Sequence, residues 1–189
     1  MTSKVKTTGS FVLPRPIIRG SVPRVGKGKV RARIDLTSCT RIKVYLHPGQ
    51  LFASTQPSVI TTVLGSCVSL CLWDPVTMIG GMNHYILPFA LGNDVASPRF
   101  GAVAIQTLIE NVVFLGGCKD RLRAKLFGGA CISNAFRQKE DQIGIVNARI
   151  AENILRTQDI PVVERDLAGR RGRKLIFNTD DGTSSVKYL

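Results

Sequence analysis

The chain has 189 residues, 44% hydrophobic and 21% charged, a composition that suits one soluble domain with a sizeable core. No apolar run approaches the roughly 18 residues a membrane span needs. The opening MTSKVKTTGSFVLP lacks an apolar core followed by a small-residue cleavage site, so the cytoplasm is the expected compartment. The formal net charge of +13 is unevenly placed: residues 1–43 hold 11 Lys/Arg and one acid (+10), and the other 146 residues hold 15 and 12 (+3).

In chain order, residues 1–42 come first. They carry Pro14, Pro16, Pro23 and the run RVGKGKVRARID, with apolar residues in no period, and read as a disordered basic extension. Such an arm could be a solvated tail or an electrostatic grip on an acidic partner. It lacks the aromatics of a base-stacking surface, and with a body near neutrality no nucleic-acid partner is expected. From Arg41 the pattern turns to strands. RIKVYLHPG ends at Pro-Gly, and SVITTVLGS stops at Gly65. VSLCLWDP alternates Val68, Leu70 and Leu72 against Ser69, Cys71 and Trp73, turns at Asp74-Pro75, and returns as MIGGMNHYILP. RFGAVAIQTLIENVVFLGG reads as a helix with Phe100, Val103, Thr107, Leu108, Val112 and Leu115 on one face. RLRAKLFGGA is a strand running into glycines. DQIGIVNARIAENILRTQDIP is a second helix with Ile143, Val146, Ile150 and Ile154 on its apolar face. PVVERDLAG, RKLIFNT and TSSVKYL close the chain as short strands. Runs of strands broken by two helices predict an α+β domain, residues 43–189, with mixed sheets.

The five cysteines have no paired CxxC spacing, which argues against a disulfide framework, and no second ligand pair accompanies Cys67, Cys71 and His84 at zinc-finger spacing. No metal or cofactor is expected. Cys67 is the candidate nucleophile. It follows Gly65-Ser66 where strand meets turn, so free backbone N–H groups there could stabilise a thiolate and then an oxyanion. His84 lies 17 residues on, on the strand expected to return beside it, where an imidazole would lower the thiol pKa and shuttle protons. The competing readings are a small buried cysteine and a core histidine. Cys71, inside a strand, reads as structural. Cys39 and Cys118 read as incidental, and His47, before Pro48-Gly49, as a turn residue.

TTVLGSCVSLCLWDP, GGMNHYILP, KLFGGA and GRKLIFNTDDG, in this order, resemble the chemoreceptor glutamine deamidase family, CheD, from about Val44 to Leu189. The resemblance implies a layered α+β fold shared with toxin-type cysteine deamidases. It implies hydrolysis of particular glutamine amides on methyl-accepting chemotaxis receptors, with release of ammonia. The family's nucleophile falls on Cys67, its histidine on His84 and its threonine on Thr61. Gly65, Ser66 and Val68 are the oxyanion candidates; Gly128, Gly129 and Asn83 are candidates for contact with substrate or partner. The partners implied are the receptors and a CheC-type phosphatase. A methylesterase would use the same chemistry, and a non-catalytic regulator is the alternative. The chain departs from the family pattern at Cys131-Ile132-Ser133, where a methionine is common, and at Val146, where an arginine often precedes the asparagine.

Overall fold

A computed structural model describes residues 41–90, 95–131 and 137–189, without the side chains of 137–142. The basic extension up to residue 40, Cys39 within it, and the departure at Ile132-Ser133 lie outside the described residues. The elements are β1 (Ile42–Tyr45), β2 (Gln50–Ser54), β3 (Ser58–Leu64), β4 (Val68–Asp74), β5 (Ile79–His84), α1 (Gly101–Phe114), β6 (Arg123–Gly128), α2 (Arg137–Thr157), β7 (Val162–Leu167), β8 (Arg173–Asn178) and β9 (Ser184–Tyr188). They form a four-stranded sheet, β1-β3-β8-β9, and a five-stranded sheet, β2-β5-β4-β6-β7. Each sheet has one parallel pair, β1–β3 and β6–β7, among antiparallel ones, so both are mixed as expected.

The alternation of β4 decides the layering. Val68, Leu70 and Leu72 pack with Ala104, Ile105 and Leu108 of α1 and Ile150, Ala151 and Leu155 of α2. Cys71, on the opposite face, packs with Met82, Phe127 and the first sheet's Ile60, Leu64, Leu175 and Phe177. The order is therefore sheet, sheet, helices, with one apolar core on each side of the five-stranded sheet. Residues of β4 and β5 that face the first sheet lie in an apolar interlayer, and that is where the candidate site begins. Beneath the Asp74-Pro75 turn, Asp74 accepts from the Val76 and Cys118 N–H groups at 2.9 Å each and pairs with Arg121 at 2.7 Å. That guanidinium holds the Asp74 carboxyl well below the usual carboxylate range.

Both helix faces lie beside the expected ones. On α1 the buried stripe is Gly101, Ala104, Ile105, Leu108, Ile109 and Val112, with Val103 and Thr107 at its margin. The helix is apolar nearly all round, down to a Phe114 that is 89% exposed, so periodicity offers several faces and packing chooses one. On α2 the buried positions are Gly144, Asn147, Ile150, Ala151 and Leu155, while Ile143, Val146 and Ile154 are half-buried. Gly144 and Asn147 are invisible to a search for apolar stripes. Strand β2 has no counterpart in the sequence reading, which passes from Pro48-Gly49 directly to SVITTVL.

Candidate active site

The segment Gly65-Ser66-Cys67 carries the chain from β3 in one sheet to β4 in the other. Its three carbonyls are all held. Gly65 O accepts from Ala130 N at 2.7 Å, Cys67 O from Gly129 N at 2.8 Å, and Ser66 O from the Asn147 side chain at 3.3 Å. The turn is thus clamped from its carbonyl side by the FGGA loop and by α2. The thiol of Cys67 is half-buried against the interlayer core.

Antiparallel pairing places His84. Val68 and Tyr85 exchange both backbone hydrogen bonds, at 3.2 and 3.0 Å, and Cys71 stands opposite Met82. In that register Ser69 faces His84, and Cys67 lies diagonally across from His84 on the same face of the sheet. Diagonal neighbours within paired strands typically lie about 7–8 Å apart, with Cβ atoms somewhat closer. This register puts Cys67 and His84 on the same side of the sheet.

Thr62, not Thr61, meets the imidazole: Thr62 Oγ1 lies 2.8 Å from His84 Nδ1 and donates to Leu46 O, also at 2.8 Å. A hydroxyl has one proton, and Leu46 O takes it, so Nδ1 carries a hydrogen and donates to Thr62. Nε2 is then the lone-pair nitrogen, buried and without a partner among the described residues. Thr61 lies on the other face of β3. Strand side chains alternate, and Ile60, Thr62 and Leu64 face the second sheet, which turns Thr61 outward. Thr62→Val is expected to lower kcat on the order of tenfold, less than the ~10²–10⁴ an imidazole contributes by proton transfer, whereas Thr61→Val leaves kcat unchanged. Steady-state kinetics of the two variants check this.

Burial sets both protonation states. It pushes His84 down to about 4, against a raising effect of the Leu46 carbonyl. It pushes the Cys67 thiol up, partly offset by the residue's own N–H. At neutral pH burial favours the uncharged form of each group.

Four further candidates take other roles. The Val68 N–H is spent on Tyr85 O, so it is not an oxyanion donor. Asn83 is fully buried inside β5, its Oδ1 accepting from Leu70 N at 2.8 Å while its carbonyl accepts from Ser69 Oγ, so these two groups serve the β4–β5 ladder. Gly128 and Gly129 are buried beneath Cys67 and support the turn. Gly128 has φ +114°, and an added Cβ would collide with the Cys67 carbonyl oxygen. Gly128→Ala is therefore expected to cost about 3 kcal/mol or more, read as a lower denaturation midpoint. Asn147 was missed as a site residue: no sequence periodicity marks a polar residue on a buried helix face. Among the described residues no helix is long and apolar enough to cross a membrane.

Comparison with known proteins agrees with the resemblance. A family model described as CheD chemotactic sensory transduction matches residues 87–188. The probable chemoreceptor glutamine deamidase CheD 1 of Anaeromyxobacter dehalogenans is 48% identical over 149 residues, 79% of this chain and 86% of the relative. The probable chemoreceptor glutamine deamidase CheD of Sulfurimonas denitrificans is 45% identical over 147 residues, 78% of this chain and 94% of the relative. A solved structure, the hypothetical protein YfiH of Bacillus licheniformis, aligns with a TM-score of 0.42 at 15% identity, covering 61% of this chain and 49% of that one. With relatives this similar across most of its length, the chain belongs to the CheD family of chemoreceptor glutamine deamidases.

Proposed function

We propose that this protein hydrolyses particular glutamine side chains on chemotaxis receptors to glutamates, with Cys67 as nucleophile and His84 as the proton carrier. The observation that carries the reading is the unpartnered, buried Nε2 of an imidazole whose other nitrogen is fixed by Thr62, on the face that Cys67 shares. Cys67 Sγ bonds to the amide carbon as its proton passes to Nε2. The carbonyl oxygen becomes an oxyanion held by N–H groups of the Gly65–Cys67 turn, whose carbonyls are already engaged on the other side. The imidazolium gives its proton to the amide nitrogen, the C–N bond breaks, and ammonia leaves a thioester. A water then loses its proton to Nε2 and attacks the thioester carbon. The C–S bond breaks, the proton returns to sulfur, and glutamate and free thiol result. The reading places the protein in the cytoplasm with the receptor's helical signalling part, and includes a CheC-type phosphatase as a second protein partner.

The test is ammonia release from a folded receptor cytoplasmic domain, with an equal concentration of free glutamine as control. Ammonia from the receptor well above the control supports the proposal. Ammonia no higher than a protein-free blank, with several receptor domains, refutes it. Burial of the two groups adds a pH prediction. Alkylation of Cys67 by iodoacetamide should climb past the ordinary thiol value of about 8.5, and kcat/KM should show no histidine limb between about pH 5 and 7. An alkylation midpoint at or below neutrality would mean a pre-formed ion pair instead.

A further inference from the structure

Three hydrogen bonds converge on Asn147, which is fully buried on α2. Its Nδ2 donates to Ser66 O at 3.3 Å and to Ile86 O at 2.8 Å, and its backbone carbonyl accepts from Tyr85 Oη at 2.6 Å. Ser66 immediately precedes Cys67; Tyr85 and Ile86 immediately follow His84. One carboxamide therefore bridges the chain segments that carry the thiol and the imidazole. Both side-chain bonds go to carbonyls, so the amide must present its donor end to them. Its Oδ1 is buried without a partner among the described residues. An apolar residue here would leave the Ser66 and Ile86 carbonyls unpaired, at on the order of 1–3 kcal/mol each, so the amide ties these two chain segments together at the cost of one unpaired oxygen of its own. One turn earlier Gly144 lets the helix approach the same region: an added Cβ there would lie 2.7 Å from Gly129 O, and Gly129 N holds Cys67 O. Thus α2 meets the Cys67 turn at two successive turns, once by close approach and once by hydrogen bonds.

We infer that Asn147 is a positioning residue for the deamidation, setting the spacing of Cys67 and His84 by bridging Ser66 and Ile86. The inference rests on the catalytic reading of that pair, so one readout of the test involves no receptor. Asn147→Asp keeps the shape and has at most one donor, a carboxyl proton, for the two carbonyls. Asn147→Ser is neutral and too short to span both carbonyls. Leu155→Ala, in the buried core of the same helix, is the control for lost stability alone. Each is examined well below its denaturation midpoint, by kcat and KM on a receptor domain and by peptide-resolved alkylation of Cys67 from about pH 6 to 10. In both Asn147 variants kcat should fall about 10- to 100-fold with KM little changed, the pattern of lost transition-state geometry, and the Cys67 alkylation profile should move. Leu155→Ala should lower the denaturation midpoint and leave both readouts as in the wild type. Asn147 variants that behave like Leu155→Ala in kcat and in alkylation overturn the inference. A wild type inactive on every receptor would overturn the proposed function instead, and the alkylation profiles would then decide the role of Asn147 by themselves.

Discussion

Cys67→Ala is expected to reduce receptor deamidation by at least about 10³-fold while changing stability by no more than about 1 kcal/mol. Without the sulfur no covalent intermediate forms, and what remains is a bound amide beside an imidazole that could only activate water. Binding and the oxyanion donors alone leave modest residual catalysis in hydrolases of this kind. The structural cost is small because the thiol is half-buried and its removal deletes one atom at the margin of the interlayer core, while the hydrogen bonds described for the turn use its carbonyls and not the thiol. Cys71 supplies the contrast. It lies fully buried in that core, and burial pushes its thiol well above the ordinary range. Cys71→Ala should destabilise by about 1 kcal/mol or more and leave turnover intact. Turnover and denaturation midpoints measured on both variants separate the two cysteines. A Cys71→Ala that abolishes activity, beside an active Cys67→Ala, would reverse the assignment.

His84→Ala should cost about 10²–10⁴ in kcat, the usual contribution of a positioned acid–base group. The loss should be large here because the resting thiol is neutral: with burial holding it up, sulfur needs a base at the moment of attack. The effect of His84→Ala on stability has opposing parts. The side chain is 2% exposed, so truncation opens a cavity between the sheets, yet it also removes the unpartnered Nε2. Thr62 keeps its bond to Leu46 O, so no donor is orphaned. The variant should therefore fold, and circular dichroism with kinetics will show a structured protein with little turnover. Near-wild-type turnover would remove His84 from the mechanism.

The strand pairing that makes this site was legible in the sequence because the period-2 alternation around Cys67, the Asp74-Pro75 turn and the returning GGMNH strand admit one antiparallel hairpin. The threonine was not. SVITTVL is apolar on both faces, with Val59 and Val63 against Ile60 and Leu64, so the pattern does not say which of two adjacent threonines turns inward. Packing of β3 against the second sheet decides for Thr62. Asn83 was legible as a polar residue beside His84, but only the structure shows its Oδ1 substituting in the β4–β5 ladder at Leu70 N. The glycines of KLFGGA marked a special backbone without revealing its task, which is to let a chain segment pass directly beneath the Cys67 carbonyl. Gly144 gave no signal and Asn147 none beyond its place in the family pattern, because a helix face that must approach closely and donate hydrogen bonds looks, in sequence, like a solvent face.

The central claim is thiol-mediated hydrolysis of receptor glutamines, and mass spectrometry of a receptor cytoplasmic domain treated with the wild-type protein in ordinary and in ¹⁸O-enriched water tests it most directly. The account predicts a gain of about 1 mass unit at a few glutamines in ordinary water and about 3 in heavy water, since the new oxygen comes from the water that opens the thioester. Neither gain should appear with Cys67→Ala. Glutamines left unchanged by a folded wild-type protein, or changed equally by the Cys67→Ala variant, would contradict it.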